Sequence, residues 1–314
     1  MGKVFFLIYN SRSGSTLLSK LLDEHEDIGV TVESLFMINL IRLKRWFEKS
    51  GDVEKLFHRL EKLDRFYNLQ INFNDFIAYF DGRKKISSVA EGIIKTYFTR
   101  EKHQSTVWVV KDGVCGLYIN QISAEMPHAK FIHIVRDGRA VLNSMIKSID
   151  PYSKKPMSSD TINHARMWKD MIVRVDLFKE KHPELVLEIQ YENLISNTKE
   201  EIKRVRWYLG LEEKINTKNI VSLSYYDKIP QREKSIHSLA KDGTNPSRIN
   251  AWEEELPIQD RKLFEYFTSN ILAKKGYKVE SRASLYDMVK QFCLIKSLIL
   301  SYIRRVKSKW QKIF

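Results

Sequence analysis

The stretch of sequence that decides the fold is residues 4–22, VFFLIYNSRSGSTLLSKLL. It opens with a continuous apolar, β-rich run over residues 4–10, which is typical of a buried strand. A small polar loop follows over residues 11–16. Leucines then recur at helical spacing, at Leu17, Leu18, Leu21 and Leu22. The order of elements is therefore predicted to be strand, loop, helix.

Four later apolar runs also look like strands, at residues 28–32, 107–110, 130–135 and 185–189. Helical patterns lie between them, and this alternation predicts a parallel sheet covered by helices. With only 12 Gly and 7 Pro in 314 residues, the many tight turns of an all-β protein are disfavoured. We expect an α/β fold with a central parallel sheet flanked by helices.

Polar candidates follow the predicted strands. They are the loop after Asn10, and then Glu33, Lys111, Arg136 and Tyr191. In a parallel sheet, sites lie beyond the carboxyl ends of the strands. The five groups are therefore expected to converge on one edge of the sheet.

The loop between the first strand and helix is predicted to bind an anion. Small residues leave backbone N–H groups free at a helix N-terminus, where the helix dipole adds positive potential. The loop differs from the Walker motif G-x-x-x-x-G-K-[ST], since Gly14 precedes Ser15, no Lys follows and Arg12 supplies the cation. An ordinary strand-to-helix turn is the alternative.

A second strand, turn and helix are predicted in residues 131–144, FIHIVRDGRAVLNS. Arg136 lies at the strand end, and Ser144 follows two helical turns later. An Arg fork and a hydroxyl in this arrangement suit a second phosphate group. The alternative is a surface ion pair between Arg136 and Asp137.

The two segments together resemble the 5′-phosphosulfate loop and the 3′-phosphate motif of sulfotransferases that use 3′-phosphoadenosine 5′-phosphosulfate (PAPS). The nearest pattern is the tyrosylprotein and carbohydrate type, with R-S-G-[ST]-T-L matched at 12–17 and V-R-D-G-R-A matched at 135–140. The resemblance continues through Lys111-Asp112-Gly113 and Tyr191-Glu192-Asn193-Leu194. It implies a P-loop NTPase-like sulfotransferase fold, PAPS as the cofactor and no required metal.

The resemblance also implies roles for individual residues. Glu33 is expected to act as general base. The charge that develops in sulfuryl transfer further predicts that Lys111 and Arg12 stabilise the departing oxygen. The cofactor-binding residues are expected to be Arg12, Ser13, Gly14, Ser15, Thr16, Arg136, Ser144, Tyr191 and Arg248. The alternative for Glu33 is a capping role at the start of the following helix.

The acceptor is expected to be a hydroxyl of a carbohydrate, glycolipid or other metabolite. Enzymes of the tyrosylprotein type usually carry an Arg two residues after the catalytic Glu, where this chain has Leu35. Histidine is the base in the cytosolic small-molecule sulfotransferases, but His103, His128 and His133 are not well placed for that role. His133 falls within a predicted strand and is expected to pack in the core.

Composition leaves two other functions open. The net charge of +14 suits phosphate, sulfate, nucleic acid or an anionic membrane. A P-loop kinase would require the absent Walker Lys, and a non-catalytic basic protein would leave the two strand-end motifs unexplained. We expect no nucleic-acid partner. Cys115 and Cys293 lack metal or disulfide spacing, which favours a reducing, cytoplasmic location.

The chain is expected to divide at about residue 280. Residues 1–280 would form the sulfotransferase domain, with 35–100 as a helical, aromatic-rich insertion that binds the acceptor. Residues 281–314 contain apolar residues at helical spacing, and seven Lys and Arg against one Asp from Ser284 onward. This pattern predicts a basic amphipathic helix, either peripheral at an anionic membrane or packed on protein.

Overall fold

Five parallel strands form the centre of the protein: β1 (Lys3–Tyr9), β2 (Ile28–Val30), β3 (Val107–Lys111), β4 (Lys130–Val135) and β5 (Val186–Gln190). The computed structural model describes residues 3–63, 65–101, 105–212, 225–237 and 245–280. The strand order is β2-β3-β1-β4-β5. The predicted α/β fold with a central parallel sheet is confirmed, and each strand lies close to its predicted position.

The central strand β1 is buried on both faces, which explains its uninterrupted apolar sequence. Phe6 and Ile8 face one hydrophobic core, while Phe5, Leu7 and Tyr9 face a second core on the other side of the sheet. Strand β1 pairs with both β3 and β4. Its carboxyl end therefore lies between the ends of two neighbouring strands.

Helices cover both faces of this sheet. In the first half of the chain they are α1 (Ser15–Asp23), α2 (Phe36–Ser50), α3 (Val53–Glu61), α4 (Phe73–Ile77), α5 (Ile86–Arg100) and α6 (Ile119–Glu125). In the second half they are α7 (Gly138–Lys147), α8 (Thr161–Lys181), α9 (Tyr191–Ser196), α10 (Thr198–Tyr208), α11 (Tyr225–Lys228), α12 (Trp252–Glu255) and α13 (Ile258–Lys274).

The segment between β2 and β3 is helical, as its sequence predicts. Helices α2 to α5 lie here, together with a short 3₁₀ turn at Phe66–Leu69. Most of its aromatic side chains build the core: the Phe57 ring packs on the rings of Phe66 and Phe76 at centroid distances of 5.5 and 5.0 Å. Tyr67 is an exception, at 74% exposed. A role of this segment in acceptor binding stays a prediction.

Buried polar contacts fix the turn between β4 and α7. The Trp168 indole N–H donates to the Arg136 carbonyl at 3.1 Å. Asp137 caps α7 through the backbone N–H of Arg139 and also pairs with the Arg139 guanidinium at 2.7 Å. Arg139 pairs in turn with the fully buried Glu265 of α13 at 2.5 Å. These contacts fix the point at which the Arg136 side chain leaves the sheet.

Some sequence predictions lie outside the described residues. They are the amphipathic helix over residues 281–314, and the residues His103 and Cys293. Among the described helices, none has the length and apolar character needed to span a bilayer.

Candidate active site

The loop after β1 opens directly onto the N-terminus of α1. Gly14 precedes the helix with φ +88° and, being a glycine, has no side chain with which to cap it. The first backbone N–H groups of a helix have no partner within the helix, so they favour an anion when no cap is present. Arg12 also has a positive φ, +70°, which turns the chain sharply before the helix. Ser13, Ser15 and Thr16 of this loop are all buried.

The loop and the second motif lie against each other. Arg12 Nε donates to Ser144 Oγ at 3.0 Å, and Arg12 Nη1 donates to the carbonyl of Ile236. Arg12 and Ser144 are separated by 132 residues in the chain. The predicted convergence of these two motifs on one edge of the sheet is therefore what the structure shows.

Arg136 joins three segments of the chain. Its Nη1 donates to the Arg12 carbonyl at 3.1 Å, and its Nη2 donates to the Arg248 carbonyl at 2.7 Å. Its guanidinium lies 4.3 Å from the centroid of the Tyr191 ring. The Asp137 carboxylate instead binds Arg139, so the surface pair considered for Arg136 is not formed.

Tyr191 begins α9 directly after β5 and covers the first loop. A Cβ atom built on Gly14 would meet Cδ2 of the Tyr191 ring at 2.3 Å. Only glycine allows the ring to lie this close to the loop. Tyr191 thus contacts both motifs at once, Gly14 at the first and Arg136 at the second.

Three arginines form a cationic cluster at this edge. Burial, and after it the charges of Arg136 and Arg248, lower the pKa of Arg12 to about 10. Burial is also the main cause that lowers the pKa of Arg136. Among the described residues, the buried Nε of Arg136 has no hydrogen-bond partner. Of the three guanidinium groups, Arg248 pairs with Glu255, while Arg12 and Arg136 donate their hydrogen bonds to uncharged groups. Positive charge gathered in this way favours binding of a polyanion.

Lys111 lies at the end of β3 and reaches the same loop. Its Nζ donates to Thr16 Oγ1 at 2.9 Å and lies 5.9 Å and 5.4 Å from the ring centroids of Tyr9 and Tyr225. Burial lowers the pKa of Lys111 to about 7, an effect that the nearby Glu233 carboxylate partly offsets. The amine therefore changes its charge near neutral pH.

Glu33 lies after β2, with its carboxylate turned toward this edge. Its Oε2 accepts from the Tyr9 hydroxyl at 2.5 Å, its Oε1 accepts from Arg65 Nη1, and its backbone carbonyl accepts from Asn68 Nδ2 at 3.1 Å. Helix α2 begins after Leu35 without a side-chain cap. The capping role considered for Glu33 is therefore not observed.

Some side chains of the site were not identified from the sequence. They are Tyr9, Arg65 and Asn68 around Glu33, Tyr152 under the guanidinium groups of Arg65 and Arg232, and Tyr225 and Glu233 beside Lys111. Several belong to segment 225–237, whose Ile236 carbonyl accepts from Arg12 of the loop. In this segment Tyr225 donates to the Thr31 carbonyl at 3.1 Å, and Glu233 accepts from the Tyr152 hydroxyl. Tyr9 belongs to the apolar run of β1. Its hydroxyl group was the one feature in the sequence that indicated a polar contact.

The histidine candidates His128 and His133 lie away from this site, whereas Arg248 lies beside it. His133 is fully buried within β4, as predicted, and His128 is exposed on a connection. Arg248 lies at the site, since its carbonyl binds Arg136, while its guanidinium is 3.4 Å from Glu255. In the described part of the chain, no group of three or more His, Cys, Asp or Glu side chains is arranged to hold a metal ion.

Residues 5–214 match the sequence profile described as the Sulfotransferase family. The chain belongs to this family. It is 23% identical over 312 residues to protein-tyrosine sulfotransferase 1 of Danio rerio, a match that covers 96% of this chain and 78% of the relative. A Caenorhabditis briggsae relative, also named as a protein-tyrosine sulfotransferase, is 23% identical over 64% of this chain, and the chain spans 63% of that relative's length.

Solved structures show the same fold. The sulfotransferase domain from the curacin biosynthetic pathway superposes with a TM-score of 0.58 at 17% identity, covering 89% of this chain and 99% of that domain. This likeness confirms the predicted P-loop-like sulfotransferase fold.

The contact between Gly14 and Tyr191 leads to a prediction about stability. Gly14→Ala should destabilise the protein more than Gly82→Ala, because both glycines have positive φ but only Gly14 lacks room for a Cβ atom. The backbone strain costs about 1 kcal/mol at each position, and overpacking against Tyr191 should add about 1–3 kcal/mol. Urea unfolding measures the free energy of unfolding of both variants. Equal losses would show that the Tyr191 ring moves aside freely.

Proposed function

We propose that this protein transfers the sulfuryl group of PAPS to the hydroxyl of an acceptor. The observation that carries the proposal is the meeting of two motifs at one sheet edge: Arg12 of the first loop bonds Ser144 and Arg136 of the second. A nucleotide with anionic groups at both its 5′ and 3′ positions matches two linked cationic motifs. Membership of the Sulfotransferase family supports the same conclusion.

The residues at this edge fit PAPS. The uncapped N-terminus of α1, with Arg12, Ser13, Gly14, Ser15 and Thr16, would hold the 5′-phosphosulfate. Arg136 and Ser144 would hold the 3′-phosphate, with Tyr191 and Arg248 beside them. The buried Arg136 Nε without a partner supports this assignment, since a bound phosphate oxygen would satisfy it.

The chemistry assigned to this chain's own residues is proton removal and charge stabilisation. When bound, PAPS supplies the activated sulfuryl group. Glu33 would accept the proton of the acceptor hydroxyl, since its carboxylate lies at the same edge as the loop. Lys111 and Arg12 would stabilise negative charge on the loop side of the site, where Lys111 already bonds Thr16.

We propose a carbohydrate, glycolipid or other metabolite hydroxyl as the acceptor. Leu35, in place of the arginine of the tyrosylprotein pattern, favours this class, although Arg65 still brings a guanidinium to Glu33. A tyrosine side chain is a second candidate, favoured by the names of the relatives. Transfer of ³⁵S from labelled PAPS to 4-nitrophenol, a tyrosine peptide, an oligosaccharide and a glycolipid separates these classes. A cytoplasmic location and contact of residues 281–314 with an anionic membrane stay predictions.

A nucleotide-dependent rise in melting temperature tests the cofactor. Adenosine 3′,5′-bisphosphate should stabilise the protein by several degrees, because a ligand that binds only the folded state raises its stability. ATP with Mg²⁺ should stabilise it less, since its phosphates all lie on one side of the nucleoside. Stabilisation by ATP alone would favour a kinase, and strong salt-dependent binding of an oligonucleotide alone would favour a nucleic-acid partner.

The same assay locates the 3′-phosphate. Arg136→Ala should weaken binding of the bisphosphate by at least about tenfold, because a charged donor to the phosphate is lost. Arg59→Ala is the control: this arginine also lies on an aromatic ring, 4.1 Å from the Trp46 centroid, but outside the proposed nucleotide site. Unchanged binding in Arg136→Ala would contradict the assignment.

Nucleotide affinity should fall as pH rises above 7. The pKa of Lys111 is lowered to about 7, so the amine is protonated at lower pH and largely neutral at pH 8.5. Because the anion binds the protonated form, the affinity for adenosine 3′,5′-bisphosphate should weaken by about tenfold between pH 7 and pH 8.5. Calorimetric titration measures it. Lys111→Met should remove this pH dependence, and a flat profile in the original protein would exclude the linkage.

Glu33→Gln tests the base. The variant should bind adenosine 3′,5′-bisphosphate as tightly as the original protein but lose about 10²- to 10⁴-fold in sulfate transfer, since glutamine keeps the shape and cannot take the proton. The rate of ³⁵S transfer from labelled PAPS measures the loss. Full activity would remove Glu33 from the role of base.

A further inference from the structure

The phenol of Tyr9 lies between the anion loop and the candidate base. It donates to Glu33 Oε2 at 2.5 Å, and the Ser15 side chain hydrogen-bonds to the same phenol. Ser15 is the first residue of α1, where the anion would bind. A single hydroxyl group thus connects the loop at the end of β1 with the carboxylate after β2.

The position of the Tyr9 ring is tightly restricted. Tyr9 is 4% exposed and belongs to the core on the α1 side of the sheet. A Cβ atom built on Gly113 would lie 2.5 Å from the Tyr9 carbonyl and 2.9 Å from ring atom Cε2. The backbone after β3 therefore packs directly on the ring, which limits movement of its hydroxyl.

We infer that Tyr9 is the positioning residue for sulfuryl transfer, holding the Glu33 carboxylate at a set place relative to the loop that binds the donor. This inference rests on the proposed function. Glu33 would be held at Oε2 by Tyr9 and at Oε1 by Arg65. A carboxylate has about four lone-pair sites on its two oxygens, so about two remain, and one of them can accept from the acceptor hydroxyl.

Tyr9 is suited to donate this hydrogen bond because its phenol stays protonated. Burial, and after it the charge of Asp112, raises the pKa of the Tyr9 phenol well above its ordinary value. The phenol therefore keeps its proton and remains a donor. A donor to the carboxylate stabilises its ionised form, which is the form that accepts a proton.

Several charged groups surround this contact. Arg65 faces both Glu33 and Tyr9, and Asp112 faces Tyr9 from the end of β3. Lys111 Nζ lies 5.9 Å from the centroid of the Tyr9 ring, and Glu233 of segment 225–237 acts on Lys111. A test must therefore separate the effect of the phenol from the titration of these neighbours.

The test compares Tyr9→Phe with Tyr277→Phe. Both lose a phenol that donates to a glutamate, Tyr277 to Glu192 Oε2 at 3.0 Å, but only Tyr9 contacts Glu33. In protein labelled with ¹³C at the glutamate carboxyl carbon, the Glu33 signal is assigned by its loss in Glu33→Gln. Its midpoint of titration is followed by NMR. Consumption of ³⁵S-labelled PAPS and stabilisation by adenosine 3′,5′-bisphosphate are measured alongside.

Tyr9→Phe should raise the midpoint of the Glu33 titration by about one pH unit and lower the maximal rate of PAPS consumption about tenfold. Stabilisation by adenosine 3′,5′-bisphosphate should not change. Tyr277→Phe should leave the midpoint and the rate unchanged. An unchanged Glu33 midpoint in Tyr9→Phe, or an unchanged rate, would overturn the inference. Absence of nucleotide stabilisation in the original protein would instead overturn the proposed function, while the titration still reports on the contact itself.

A second variant guards against misfolding of Tyr9→Phe. Incorporation of 3,5-difluorotyrosine at position 9 keeps the ring and makes its hydroxyl a stronger donor. The Glu33 midpoint should then move downward, opposite to the Phe variant. A shift in the same direction for both variants would indicate a general disturbance of packing and would overturn the inference.

Discussion

The burial of the Arg136 guanidinium is the interaction on which the site depends. A buried cation loses its water and must find other partners. Arg136 finds them in the carbonyls of Arg12 and Arg248 and in the face of the Tyr191 ring. None of these partners carries a negative charge, so the guanidinium is held in place while its charge stays available. The same contacts fix the distance between the loop after β1 and the turn after β4.

The charges around the sheet edge fall into two parts, and this separation suits group transfer. On one side the arginine cluster and Lys111 gather positive charge around the uncapped helix N-terminus. On the other side Glu33 provides a carboxylate that remains apart from the anion loop because Arg65 and Tyr9 hold it. Under the proposed function, the cations that would bind the donor and the carboxylate that would take the proton therefore lie at one edge without pairing with each other. Direct pairing of Glu33 with the arginine cluster would cancel both functions.

The sequence predicts the elements that local pattern controls. The five strands and the polar turns after them follow from apolar runs, and their meeting follows from the geometry of parallel sheets. The partners of Glu33 were not predictable in this way. Arg65 lies 32 residues from Glu33 in the chain, and Tyr9 reads as one more core residue of β1. Their contacts depend on how the segment between β2 and β3 folds back over the edge, which no local pattern records.

The acceptor argument changes once Arg65 is considered. The sequence disfavours a tyrosine acceptor because Leu35 stands where the tyrosylprotein pattern has an arginine. Leu35 is the residue that precedes α2, and its backbone has φ +57°. A guanidinium still reaches the Glu33 carboxylate, from Arg65. Loss of an arginine at one sequence position is therefore not loss of a cation beside the candidate base. The choice between tyrosine and other hydroxyl acceptors depends on the surface that the β2 to β3 segment presents, and not on Leu35 alone.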